Sequence, residues 1–146
     1  MRTKEDIIRY ARELRCEYNT RDPYILARHY GIRVGDDLKL GISKKAYTIK
    51  MDNYPTTIMI NNVYDMRSKI VLCAHELGHA LLHDSGISNF AITEKNAFTN
   101  DEYEANLFAV SLLFDDKDFN IPITQMSNYI LKSILDYNIA LKEHSC

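Results

Sequence analysis

A chain of 146 residues with 46% hydrophobic and 26% charged side chains has the make-up of one globular domain with a core of its own. A formal charge of −2 and the lack of a basic stripe exclude a nucleic-acid footprint, and no run approaches the ~18–20 apolar residues of a membrane span. Three cysteines (Cys16, Cys73 and Cys146) with no Cys-x-x-Cys spacing argue against a disulfide framework and for a reducing cytoplasm.

In chain order, the first segment opens with Met1-Arg2-Thr3-Lys4-Glu5-Asp6, which is amphipathic and lacks the apolar core of a secretion signal. Thr3 is an N-cap with Asp6 three residues on, and Ile7, Ile8, Ala11 and Leu14 recur with helical spacing, so a helix is expected over about 4–18. Asp22-Pro23 opens a short helix that Gly31 closes. His29, alone on a face of that helix, is read as a packing or surface residue.

Strands are expected at Ile32–Val34, Leu38–Ile42, Ala46–Lys50 and Thr57–Asn61, with turns at Gly35-Asp36-Asp37, Ser43-Lys44-Lys45 and Asp52-Asn53-Tyr54-Pro55. Thr57–Asn61, rich in β-branched residues, is the strongest of them. Together they form a small, largely antiparallel meander. Asp65 or Asn62 then caps a helix over 66–82, in which Gly78 is the one weak point, explicable by close approach of the sheet or another helix. Residues 87–100 show no period and read as a long loop. Thr99 or Asn100 caps a further helix through Leu113 whose acidic first turn suits a helix N-terminus. After the charged loop Asp115–Asp118, a last helical region is expected over about 124–142, within a C-terminal segment of 120–146. No repeat or linker divides the chain, so 1–146 is taken as a single domain with its core of chemistry in 66–113.

That core of chemistry begins with Ala74-His75-Glu76-Leu77-Gly78-His79. On a helix, His75 and His79 lie one turn, ~6 Å, apart on a common face, where two imidazoles can grip one Zn²⁺. Glu76 beside them is placed to take the proton of a metal-bound water. Cys73, two residues before His75, falls on roughly the opposite face and reads as packing.

Catalytic zinc usually takes three protein ligands. Candidates for the third are His83, Asp84, Glu94, Asp101, Glu102 and Glu104. His83 continues the series, but ~12 Å along the axis from His75 is too far for easy convergence. Glu102 and Glu104 stand in the first turn of the next helix, about 200° apart in rotation, so at most one faces the metal easily. Spacing alone leaves the choice between them open.

The stretch Ala74-His75-Glu76-Leu77-Gly78-His79-Ala80-Leu81-Leu82-His83, followed by Glu102-Tyr103-Glu104-Ala105-Asn106-Leu107, resembles the ImmA/IrrE family of zinc metallopeptidases. The resemblance extends over roughly residues 4–115 and includes the order of helices and the β segment ahead of the motif. It departs where the family often has proline soon after the Leu112-Leu113 pair; here Phe114-Asp115-Asp116 follows. The resemblance implies an α+β, zincin-like fold with a small, mostly antiparallel sheet packed on the active-site helix. It implies zinc held by His75, His79 and Glu102, with Glu76 catalytic and Glu104 outside the site; Asn106, one turn after Glu102 on the same face, is placed to support the ligands.

It also implies a setting: a phage or mobile element, and as substrate a helix-turn-helix repressor cut in the cytoplasm to relieve repression. The substrate is expected to lie along Thr57–Asn61, with Tyr47, Tyr54, Tyr103 or His83 as possible oxyanion donors. The competing reading is a zinc-containing interaction module that binds a repressor or toxin–antitoxin partner without cutting it.

Overall fold

The computed structural model describes residues 2–37, 44–83, 86–91 and 100–139. Helix α1 (Lys4–Glu17) starts where Thr3 accepts a hydrogen bond from the Asp6 amide while the Asp6 carboxylate accepts one from the Thr3 amide. Ile7, Ile8, Ala11 and Leu14 form its buried stripe. Helix α2 (Pro23–His29) begins with proline, capped by the Asp22 side chain, and the chain leaves it through Gly31 at φ +68°. His29 is exposed and stacks on the Tyr18 ring, 4.3 Å between centroids.

Among the described residues the sheet runs β1 (Arg33–Asp37), β3 (Thr57–Asn61), β2 (Lys44–Lys50), β4 (Gly86–Ala91), with β1 and β4 at its edges. β2 is antiparallel to both of its neighbours, and β1 is parallel to β3. The fold is therefore α+β with a small, mostly antiparallel sheet. Period two places Ala46 and Thr48 of β2 opposite Ile60 and Ile58 of β3, and all four side chains are buried.

Several expectations need correction. Gly35-Asp36-Asp37 continues β1 instead of turning, because β3 pairs with it through Asp37↔Asn61. Lys44 and Lys45 belong to β2, not to a turn. Residues 87–91, expected in a loop, form β4 together with Gly86 by pairing with β2. β3 has partners on both sides, so Thr57–Asn61 offers no free edge on which a substrate strand could lie. The strand expected at 38–42 lies outside the described residues.

Helix α3 (Met66–Leu82) is capped by Asp65, whose carboxylate accepts from the Ser68 amide. Every residue from Val71 to Ala80 is buried. A helix covered all round must be a central element, and this one packs on β2 and β3, on α2 and on α4 (Asn100–Leu113).

Gly78 marks the α3–α4 contact. A Cβ built there would stand 3.1 Å from Cα and 3.2 Å from the carbonyl oxygen of Ala105, and 3.2 Å from Phe108 Cδ1. Backbone cannot yield as a flexible side-chain tip can. Gly78→Ala is thus expected to lose more to overpacking, ~1–3 kcal/mol, than the ~1 kcal/mol gained in helix propensity. Gly78→Val should lose more still. Denaturant unfolding of the three proteins measures this, and an unchanged or stabilised alanine variant would contradict the close approach.

Arg15 of α1 closes the far end of α4, donating to the carbonyls of Ser111, Leu112 and Phe114 at 3.2–3.3 Å and pairing with Asp115. Arg21 adds Leu113 O at 3.0 Å. Those carbonyls have no partner within the helix, and cations there also suit the helix dipole. Beyond them come single 3-10 turns at Asp116–Asp118 and Ile123–Gln125, then α5 (Asn128–Tyr137). The last helical region is thus interrupted: Met126 is extended and Ser127 caps α5 anew by accepting from the Ile130 amide. Among the described residues, no helix is long and apolar enough to cross a membrane.

Candidate metal centre

The glycine contact fixes how closely two helices carrying polar groups approach. Gly78 lies between His75 and His79 on α3, and Ala105 lies between Glu102 and Asn106 on α4. Packing one on the other brings the first turn of α4 over the two imidazoles. His79 Nε2 stands 2.8 Å from Glu102 Oε1, His75 Nε2 stands 3.3 Å from Glu102 Oε2, and the two Nε2 atoms are 3.2 Å apart. All three residues are buried.

These separations bear on what the cluster holds. Donor atoms at zinc–ligand distances of 2.0–2.1 Å in a tetrahedron lie ~3.3 Å apart. The two Nε2 atoms, 3.2 Å apart, match that spacing, and each of the two Glu102 oxygens faces one imidazole at 2.8 or 3.3 Å, so two imidazoles and a carboxylate, a donor set that suits zinc, converge with one donor atom from each within 4.8 Å of the others. The residues therefore fit a metal ion. Glu102 is also kept ionised. Burial alone would raise its pKa, but hydrogen bonds and charge from His75 and His79 draw it down to about 2.

Glu76 is wholly buried beside the cluster. Its Oε1 accepts from the Thr48 hydroxyl at 2.6 Å. Its Oε2 lies 3.9 Å from His75 Nε2 and has no hydrogen-bond partner among the described residues. Burial pushes this carboxyl up to about 7; His79 and the Thr48 bond oppose that shift, and the Glu102 charge adds to it. A buried carboxylate oxygen without a hydrogen-bond partner is costly, and such a group in a native structure calls for a functional explanation.

Glu104, the alternative ligand, points elsewhere. Its Oε1 meets His83 Nε2 at 3.0 Å and Arg2 Nη2 at 3.5 Å. His83, in turn, sets its Nδ1 2.9 Å from Nδ1 of His79, on the side away from Glu102. Asp101 is exposed and reaches His83 Nε2 at 3.5 Å. Asn106 turns to α5, donating to Asn128 Oδ1 at 2.8 Å instead of to His75, His79 or Glu102. Cys73 is buried in the core, its thiol pKa raised well above the ordinary value by burial. Asp84 and Glu94 lie outside the described residues.

Of the tyrosines considered as oxyanion donors, Tyr54 is exposed beyond β2, Tyr47 alternates to the face opposite Thr48, and Tyr103 packs partly against the core. Sequence reasoning missed Thr48. The signal was its period-two place beside Ala46, which puts a hydroxyl on the strand's apolar face.

Comparison with known proteins adds two matches. The sequence pattern of the Peptidase M78 family, described as the IrrE N-terminal-like domain, matches residues 12–142. The chain is also similar to "Uncharacterized immunity region protein 2" of Bacillus phage phi105, at 35% identity over 103 residues. That alignment takes in 68% of this chain and spans 63% of the relative's length. No solved structure matches significantly.

Proposed function

The chain belongs to the Peptidase M78 family, and from that premise we propose that it is a zinc-dependent metallopeptidase that cuts a helix-turn-helix transcriptional repressor in the cytoplasm of a phage- or element-bearing cell. The observation that carries peptide hydrolysis is Glu76: a buried carboxylate beside the ligand cluster, with one oxygen held and the other open. The family and a relative named for a phage immunity region support the repressor as substrate.

His75, His79 and Glu102 would hold the metal. Zinc, when bound, would bring the pKa of a coordinated water toward ~7 and polarise the scissile carbonyl. Glu76 accepts the attacking water's proton at Oε2 and returns it to the leaving amine. Thr48 holds Oε1 and so fixes the direction in which Oε2 looks. The substrate backbone pairs along the outer edge of β4, the edge strand that lies against α3. This replaces the interior strand β3 as the ledge.

The test is to incubate the zinc-loaded protein with purified helix-turn-helix repressors encoded beside its gene, and to identify fragments by mass spectrometry. Stoichiometric binding without fragments would reject hydrolysis in favour of an interaction module. A second measurement addresses Thr48. Thr48→Val removes the bond that orients the Glu76 carboxylate and opposes its raised pKa, so kcat at neutral pH should fall by part of the ~10²–10⁴-fold that such a base contributes, with KM little changed. Thr48→Ser should restore it. Equal activity in the valine variant would mean that Thr48 does not aim the base.

A further inference from the structure

We propose that His83 is a positioning residue of the metal centre, the middle of a hydrogen-bonded run His79–His83–Glu104 that fixes the tautomer and ring plane of His79. The inference rests on reading His75, His79 and Glu102 as metal ligands.

The run follows from proton counting. His79 Nδ1 and His83 Nδ1 are 2.9 Å apart, and a hydrogen bond between two imidazole nitrogens needs one proton between them. His79 turns its Nε2 to Glu102 and His75. A ligating Nε2 must be bare, so the proton of His79 sits on Nδ1 and is donated to His83. His83 then accepts at Nδ1 and carries its own proton on Nε2, which faces the Glu104 carboxylate at 3.0 Å. Each tautomer in the run is set by the next. Ligating histidines ordinarily donate their second N–H to a carboxylate or carbonyl. Here the carboxylate stands one imidazole further out.

The support is held on several sides. His83 follows α3 in extended conformation, with its carbonyl accepting from Lys50 Nζ at 2.7 Å. Lys50 also binds Ala80 O at 2.9 Å. Arg2, which faces Glu104, also donates to Leu82 O. β2 and the N-terminal segment thus both pin the end of the helix from which His83 projects.

The same proton count argues against the obvious alternative. Donor atoms of His83, Asp101 and Glu104 lie within 4.8 Å of one another and resemble a second cation site. A protonated Nε2 has no lone pair to offer a metal, so the run and a second site exclude each other.

The experiment is zinc affinity of the full-length protein, measured by competition with a chromophoric chelator, for wild type, His83→Phe, His83→Asn, Glu104→Gln and His79→Ala. His83→Phe should weaken binding by ~10–100-fold, the range typical of partners behind the ligands. Asparagine places an acceptor near the position of Nδ1, so His83→Asn should recover most of the loss. Glu104→Gln should show a smaller loss. The visible absorption band of the cobalt-loaded protein should shift in His83→Phe and return in His83→Asn, which a role in folding alone would not produce. Wild-type affinity in His83→Phe, or an asparagine variant no better than phenylalanine, would overturn the proposal. So would a second zinc equivalent that disappears with His83. Zinc binding by wild type that is lost in His79→Ala yet survives His83→Phe removes the relay alone; no zinc binding by wild type removes the metal site and the relay with it.

Discussion

Glu76→Gln is expected to keep its zinc and to lose cleavage by about 10²–10⁴-fold, the contribution usual for a positioned acid–base group. The substitution is nearly isosteric. A glutamine oxygen can still accept from Thr48, which now bonds Glu76 Oε1 at 2.6 Å. The amide nitrogen then occupies the place of Oε2, which lacks a hydrogen-bond partner among the described residues. It presents protons where a proton must be accepted. Glu76 is not one of the three mutually close donors, so metal content should stay near one equivalent. Metal analysis and time-resolved mass spectrometry of the repressor fragments read the two quantities separately. Cleavage by Glu76→Gln at the wild-type rate would remove the proposed base. Loss of zinc would instead make Glu76 part of the ligand set.

How much of this was legible beforehand depended on whether the signal was local. Helix α3 begins and ends where Asp65 and the run to Leu82 place it, because capping chemistry and apolar spacing are properties of neighbouring residues. The close contact at Gly78 was foreseen as a need, but its partner, Ala105, is a tertiary fact. Where pairing across the sheet decides, local chemistry gave the wrong element. Gly35-Asp36-Asp37 has the composition of a turn. It is extended because β3 pairs beside it and Lys69, buried in α3, donates to Asp36 at 3.0 Å. Ile87-Ser88-Asn89-Phe90-Ala91 is short and mixed in character, and β2 supplies the ladder that makes it a strand.

The site divides in the same way. His75, Glu76 and His79 share one helix, so spacing alone placed them. Spacing left Glu102 and Glu104 both open and the family resemblance pointed to Glu102; the packing of α4 on α3 sets Glu102 against both imidazoles. Thr48 bonds Glu76 across 28 positions, beyond the reach of any periodic reading, whereas His83 meets His79 at a one-turn spacing visible in the sequence and only its bond to Glu104, 21 positions on, is tertiary.

Glu102→Ala is expected to weaken zinc binding far more than Glu104→Ala, by more than the ~10–100-fold that partners behind the ligands carry. The two carboxylates are two residues apart on α4 and lie in the same turn, so a general loss of negative charge near the metal would weaken both variants alike. Geometry separates them. Glu102 reaches the imidazoles of both His79 and His75, at 2.8 and 3.3 Å, while Glu104 reaches His83 and Arg2. Removing Glu102 leaves two imidazoles to hold the ion, whereas removing Glu104 leaves all three donors and only loosens the orientation of one. Glu102→Gln should be nearly as weak as alanine, since a neutral amide oxygen replaces the one anionic donor of the set. Chelator competition on the three variants orders them. Equal losses in Glu102→Ala and Glu104→Ala would reject the assignment of the third ligand. A larger loss in Glu104→Ala would transfer the metal to the His83 side of the helix pair.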